Sequence, residues 1–540
     1  MECGFISRQF PAEISLEEAK TYAVLTCDVG VGSLLVIEAG DRRYLARVSA
    51  VKIADIYAVA NTPVLSPEQE LAVGLKLGPK TAELELLAEC SKNACGQPGC
   101  PGDICGPPST PVPIHVPVRR PKPGEVGAML GLPQEGVELG LLALPTGEAL
   151  PGEAVRLPLE ALRHHVLIVG TTGSGKTVLV KEIALQLAGQ RVVALDAVGH
   201  FYHLAYNGVR VNVLLPVTRR LAKRGYKAVA RRAARRAIWR GKGRYKARIY
   251  GSKGRLSRIE LEVESQHGRG KLEVHPWALQ SGKILGDLPR AIPILTEQAK
   301  IFYRKVLEEA VKASGKKKAE DLFAFLTAPA EDQRGRPAVM YEKIGVSLGL
   351  HASTMENIVR ALLALVETGL VDVEGPNFAV GEPNYRKALG GYAVVDISGL
   401  NVHQQRLVVY RVLDAVYKTA KPVTAVLIDE AHLFFPQTRS EDEQAFIEAH
   451  LTRLTRLGRA KGIAVVFATH MPDDLNDVVI QLANTKIVLR SDEKILEKLG
   501  VPPAERRFLA VAEKGLAYIW GFAYRHPIYV KIQKKAVHLG

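Results

Sequence analysis

The chain is 540 residues long, carries a net charge of +16 at neutral pH, and is 47% hydrophobic against 24% charged. That length predicts about three or four domains with real apolar cores. No run of 18 consecutive apolar residues occurs, which excludes an apolar membrane span. The opening "MECGFISRQF" lacks the charged and apolar regions of a secretory leader, so a cytoplasmic protein is expected.

Residues 1–105 are short alternating runs such as "YAVLTCDVG" and "GSLLVIEAG", broken by Gly and Asp. They predict strands and turns that close into a small N-terminal β-barrel. Near its end Cys90, Cys95, Cys100 and Cys105 recur every five residues between Gly and Pro. Four thiolates this close suit zinc or an iron–sulfur cluster, with disulfides as the competing reading. Cys3 and Cys27 have no partner in sequence and read as ordinary buried thiols. Residues 106–160 form a connector, with seven prolines between Gly106 and Glu125, followed by strands leading into the next domain.

From residue 161 the pattern changes. "HHVLIVG", "RVVALDA", "GYAVVDIS", "PVTAVLIDE", "GIAVVFATH" and "NTKIVLR" are apolar strands interleaved with helices. They predict an α/β fold, a RecA-like P-loop ATPase core over residues 161–217 and 386–540 with a parallel sheet covered on both faces. "GLAYIWGFA" and "PIYVKIQ" predict a closing antiparallel pair. A basic insertion (218–275) and an inserted helical subdomain (276–385) interrupt the core. In the latter, the stretch from Tyr341 has the pattern of a helix-turn-helix and wing. Its second helix is poor in Lys and Arg, which favours a structural role.

"GTTGSGKT", Gly170–Thr177, follows a strand and opens a helix, as G-x-x-x-x-G-K-[ST] requires. Gly170, Thr171, Thr172, Gly173, Ser174 and Gly175 would cradle phosphates with backbone N–H groups, beside the positive end of a helix dipole. Lys176 would reach the β and γ phosphates of ATP, and Thr177 would hold Mg²⁺. In "TAVLIDEAH" a buried strand delivers Asp429 to complete the Mg²⁺ shell, and Glu430 to polarise the attacking water. "LTRLTRLGRAKG" offers Arg456 and Arg459 as γ-phosphate contacts, of the kind often supplied by a neighbouring subunit, with a solvated helix face as the alternative from spacing alone.

Between residues 219 and 258 lie 17 Lys or Arg and no Asp or Glu, so the remainder of the chain carries −1. A basic device this local suggests a polyanion, nucleic acid or an anionic membrane, with a solvated arm as the alternative; Arg231, Arg232, Arg235, Arg236, Arg240 and Lys242 are its candidate contacts to a DNA backbone. The helical part reads as spreading its charges around the cylinder without one apolar stripe, which argues against a membrane surface.

Taken together, "VGTTGSGKT", "GYAVVDISGLNVHQQRLVVYRVLDAVYK", "LIDEAH", "RLGRAKG", "LANTKIVLR" and "EKGLAYIWGFAYRHPIYVKI" resemble the HerA-type DNA translocases of the HerA and FtsK group of P-loop ATPases. The resemblance implies a HAS barrel at the N-terminus and a homohexameric ring that moves double-stranded DNA by ATP hydrolysis. It also implies a NurA-like nuclease partner in DNA-end processing, and Arg456, Arg459 and Arg490 as arginine fingers or sensors. Two motifs depart from the family pattern. "DAVGH", Asp196–His200, stands where D-x-H-G-E is usual, and "HMP", His470–Pro472, where Q-R-P is usual, with His470 able to bond water or phosphate. The expected function is a ring motor on duplex DNA. The alternative is a divergent, ATP-controlled assembly platform with little translocation, separable by duplex-DNA stimulation of hydrolysis.

Overall fold

In Ala19–Leu25 every second side chain is buried, the alternation of a strand with one face on a core. The computed structural model describes residues 2–8, 12–15, 18–53, 80–91, 104–252, 254–331, 335–421, 423–438 and 441–539. Strands β1 (Glu2–Ile6), β2 (Ala19–Leu25), β3 (Leu34–Ala39), β4 (Arg42–Ile53), β5 (Lys80–Ser91), β6 (Ile104–Gly106) and β7 (Pro117–Arg119) build the N-terminal barrel. Six of them close in the order β2-β1-β7-β3-β4-β5, with β5 returning to β2, around Ile6, Leu35, Tyr44, Leu84 and Val118. Closure leaves these six strands no open edge. The barrel therefore runs to Arg119, beyond the expected boundary at 105. Pro117 is tolerated because it opens β7, where its missing N–H costs least.

The cysteines correct the sequence reading. Cys90 on β5 and Cys105 on β6 are register partners with Cα atoms 4.1 Å apart, and a disulfide joins them. For this pair the disulfide replaces the zinc or iron–sulfur site; Cys95 and Cys100 lie outside the described residues. Cys3 and Cys27, expected as separate thiols, are also joined, because antiparallel pairing of β1 and β2 carries the chain after Leu25 back past Cys3.

A second sheet follows the barrel. β8 (Val137–Ala143) pairs with β9 (Ala149–Leu157) and with Tyr524–Ile532, which pairs in turn with Leu516–Gly521 and then Thr485–Leu489, all antiparallel. Thr485–Gln533 thus groups with the residues up to Leu159, and not with the ATPase core as expected. The closing antiparallel pair is present as read.

The other compact unit, Glu160–Asn484 with Lys534–Gly540, holds the core sheet. Its strands are β10 (Val166–Val169), β11 (Arg191–Asp196), β12 (Val211–Pro216), β13 (Gly243–Ser252), β14 (Arg255–Ser265), β15 (Gly268–Trp277), β16 (Tyr392–Asp396), β17 (Thr424–Ile428) and β18 (Ile463–Thr469). The order is β10-β18-β17-β11-β16-β12-β15, parallel throughout, and then antiparallel β14 and β13. Every residue of β10, β17 and β18 is buried, as for strands covered on both faces. The basic insertion is therefore continuous with the core sheet through β15. The helical subdomain contains the expected helices; in Ala352–Glu367, Met355, Ile358, Leu362 and Leu365 are buried.

Two helices matter for the site. Helix α1 (Lys176–Gln186) follows β10 and is held by the segment after Lys534. Glu182 Oε1 lies 2.7 Å from His538 Nε2 and accepts from the Lys535 N–H at 2.7 Å, while Lys181 donates to the Leu539 carbonyl. Helix α2 (Tyr226–Ile238) packs on β14 and β15 through Val229, Ala230, Ala233, Ala234, Ala237 and Ile238. This is an apolar stripe, contrary to the even spread expected. Its alanines are small, so the stripe hides among the arginines in sequence, yet it seats the helix against the sheet.

Candidate active site

The parallel sheet puts the ends of β10, β17, β18 and β11 along one edge, the place where open α/β sheets bind ligands. The loop after β10 carries Gly170–Thr177. Gly173 and Gly175 have φ of 84° and 113°, values that side chains disfavour, so the loop can turn its N–H groups inward. Lys176 Nζ folds over this loop, donating to the carbonyls of Gly170 at 2.7 Å and Thr171 at 3.2 Å. Burial pushes the Lys176 ammonium pKa down, while the carboxylates of Glu430 and Asp429 oppose that shift.

Asp429, at the end of β17, accepts a hydrogen bond from Thr177 Oγ1 at 3.1 Å, so the two expected Mg²⁺ ligands converge. Burial, and then the Glu430 charge, push the Asp429 carboxyl up, and the Thr177 bond opposes. The Ser174 hydroxyl is buried with no hydrogen-bond partner among the described residues. A carboxylate and hydroxyl side by side, with an unmatched hydroxyl in the loop, suit a Mg²⁺-bound triphosphate.

Glu430 adopts a left-handed backbone, φ 54° and ψ 48°, an uncommon conformation for a residue with a side chain. Its Oε2 lies 2.7 Å from His470 Nδ1 and 3.6 Å from His432 Nδ1. β18 separates the P-loop strand from the Asp429 strand and delivers Thr469 and His470 between them. Thr469 Oγ1 is 3.0 Å from His432 Nδ1 and accepts the Met471 N–H at 3.0 Å. The structure thus brings His470 to the general-base candidate. His432 and Thr469 were missed by sequence reasoning. The only signal for His432 was its place two residues after Glu430, which does not fix a direction on a short turn.

At the end of β11 the departed motif is a backbone cap. The Asp196 carboxylate accepts N–H bonds from Gly199 (2.6 Å), His200 (3.0 Å) and Phe201 (2.9 Å). Burial, and then nearby Asp396, raise its pKa to about 6. His200 packs edge-on to Trp239 at 4.7 Å, and burial, then Lys181, lowers its pKa to about 4, so it is neutral at pH 7.

Arg456 and Arg459 sit just before β18, at the edge opposite the P-loop. Both are exposed, and Arg459 bonds to His164 Nε2. The chain therefore does not bring them to its own Lys176. Arg490 is exposed and falls in the other compact unit.

Of the DNA-contact candidates, Arg231, Arg235, Arg240 and Lys242 are exposed. Arg232 donates to the carbonyl of Ser398, part-buried, and Arg236 to that of Val198 at 3.5 Å on the surface, in the loops after β16 and β11. The basic strand β13 is largely matched: Arg244, Lys246 and Arg248 stand opposite Glu264, Glu262 and Glu260. Arg244 is ion-paired to Glu264 at 2.9 Å.

The chain is similar to several known proteins. Among curated relatives, a probable DNA double-strand break repair helicase HerA from Methanocaldococcus jannaschii is 28% identical over 129 residues, covering 23% of this chain and 25% of the relative. The DNA double-strand break repair helicase HerA of Pyrococcus furiosus is 26% identical, covering 26% of this chain and 32% of the relative. The chain thus spans about a quarter to a third of the length of the curated relatives it matches. Solved structures with a similar fold include VirB4 of Thermoanaerobacter pseudethanolicus, at TM-score 0.43 and 14% identity over 74% of this chain and 97% of that one. Another is the plasmid coupling protein TrwB in complex with ADP and Mg²⁺, at TM-score 0.45 and 16% identity over 76% and 92%. Residues 144–416 match the family profile of the helicase HerA central domain, and residues 408–490 that of the helicase HerA-like C-terminal region. With the first profile alone covering more than half of its length, the chain belongs to the HerA helicase family of P-loop ATPases.

Proposed function

We propose that this chain is an ATP-hydrolysing motor that moves along double-stranded DNA as a homohexameric ring, in DNA-end processing with a NurA-like nuclease. The observation that carries the reading is the position of α2. Its outer cations, Arg231 and Arg235, are exposed for a polyanion, and its Arg232 and Arg236 hold the loops after β16 and β11. Those loops lie at the sheet edge that carries Lys176, Asp429 and Glu430. A helix that grips phosphate and also holds the edge of the nucleotide site is a route for coupling the two.

Thr177 and Asp429 would hold Mg²⁺, which when bound neutralises charge on the phosphates. Lys176 contributes a second cation at the γ-phosphate, and Glu430 takes the proton from the attacking water. Arg456 and Arg459 would act on the neighbouring subunit's nucleotide, since in their own chain they lie at the opposite sheet edge. The double-strand break repair named for the relatives supports the choice of pathway.

A second reading, the assembly platform, is favoured by the 2.7 Å contact of His470 with Glu430, which occupies the general base. Duplex-DNA stimulation of ATP hydrolysis separates the two. A motor shows clear stimulation with mass-verified hexamers; hydrolysis indifferent to DNA would leave the platform.

A further inference from the structure

Glu430, His432 and His470 converge: one ligand atom from each lies within 4.8 Å of the other two. The pairs measured from Glu430 Oε2 are 2.7 Å to His470 Nδ1 and 3.6 Å to His432 Nδ1. A tetrahedral cation bound at about 2.1 Å from each ligand needs its ligands about 3.4 Å apart, so shifts of about an ångström suffice. The set is two imidazoles and one carboxylate, a ligand chemistry that suits Zn²⁺ and other borderline divalent metals and that Mg²⁺ does not favour.

The surroundings are built to hold these groups. His432 is buried, and its Nδ1 is fixed by Thr469 Oγ1 at 3.0 Å, whose orientation is set in turn by the Met471 N–H. The same Nδ1 faces Glu430, so a bound metal takes the place of the Thr469 hydroxyl on it. The His432 and His470 rings stand perpendicular with centroids 5.0 Å apart, so the rings do not stack. The His470 side chain is 33% exposed, which leaves a path for an ion to enter.

We propose that Glu430, His432 and His470 form a Zn²⁺ site, distinct from the Mg²⁺ ligands Thr177 and Asp429, and that zinc there blocks hydrolysis by capping the Glu430 carboxylate. Binding depends only on these three side chains; the block rests on the proposed role of Glu430 as general base. His470, at the position where the chain departs from its family, completes the set that Glu430 and His432 begin.

The test titrates ZnCl₂ into the full chain without nucleotide or DNA, in chelator-free buffer with excess Mg²⁺, by calorimetry. It is repeated on a Cys95→Ser/Cys100→Ser chain so that thiolates outside the site are not counted. One Zn²⁺ per chain is expected in both backgrounds. His432→Gln and His470→Ala should each weaken binding at least tenfold; His470 lies outside the buried core, so its truncation should leave the fold intact. Co²⁺ bound in place of zinc should show the visible absorption of a tetrahedral N/O site, lost in the same variants. Absence of zinc from the Cys95→Ser/Cys100→Ser chain, or affinity unchanged in both histidine variants, overturns the site. Zinc bound stoichiometrically without slowing Mg²⁺-ATP hydrolysis overturns the block while leaving the site. The motor reading is tested separately, in zinc-free Mg²⁺ buffer with DNA, so either can fail alone.

Discussion

If the exposed side of α2 grips DNA, its contribution can be worked from charge placement. Arg231, Arg235, Arg240 and Lys242 are exposed, whereas Arg232 and Arg236 are bonded to carbonyls and Arg244 to Glu264. Four cations on four phosphates give a slope of log K against log salt of about −3.6 per subunit. Between 50 and 200 mM salt that amounts to a loss of about 150-fold in affinity from this surface. Replacing all four by Ala should remove this dependence, and the double change Arg231→Ala/Arg235→Ala should flatten the slope by about 1.8. Arg244→Ala should change it little, because that charge is already matched, and Glu264→Gln should steepen it by releasing Arg244. Fluorescence anisotropy on two duplexes of unrelated sequence, over a salt series, reads all of these. The loss should be equal on both, since phosphate contacts read no bases. A parent slope in the fourfold variant, or an Arg244→Ala effect as large as that of Arg231→Ala, refutes the placement of the grip on α2.

Glu430→Gln should keep nucleotide bound while lowering turnover at least about a hundredfold, because the amide accepts no proton. Lys176→Ala chains mixed with Arg456→Ala/Arg459→Ala chains, each inactive alone, should regain ATPase activity if the arginines act across a subunit boundary. Burial holds the His165 and His200 pKa values at about 4, below the 6.5 of a free imidazole. Their stabilising effect is thus complete above pH 6.5 and is lost as pH falls towards 4, by up to about 1.4 kcal/mol per group per pH unit. Thermal melts over that range should fall with acid, and His200→Gln should melt with a shallower dependence. Cys90→Ser/Cys105→Ser should destabilise the barrel by about 3 kcal/mol, the loop-closure effect for a ring of this size, read by denaturant unfolding.

The phosphate site was legible because glycines, Lys176 and Thr177 must stand at fixed spacing between a strand and a helix, and the β-barrel because its alternation is local. Other features depended on pairing between distant segments. The window 219–258 ends two residues before Glu260, so the acids that face β13 across a hairpin stayed outside the count. Cys90 and Cys105 are fifteen residues apart, and only the register of β5 and β6 sets them face to face. "NTKIVLR" has the same apolar run as the parallel strands, yet it pairs antiparallel with Leu516–Gly521; direction is a property of the pair and not of the strand. Likewise nothing in "HMP" tells that β18 inserts between β10 and β17 and so sets His470 beside Glu430.

Arg232 and Arg236 make α2 answerable to two masters. A guanidinium that donates to the Ser398 or Val198 carbonyl has fewer N–H groups left for a phosphate, and one drawn to a phosphate releases its loop. If α2 binds DNA, whatever free energy DNA gains or loses by that exchange must reappear, with the same sign and size, in the affinity of nucleotide for a site on the sheet edge where those loops lie. The exchange is therefore measurable from either end: duplex affinity with and without nucleotide, and nucleotide affinity with and without duplex, must change by one common factor.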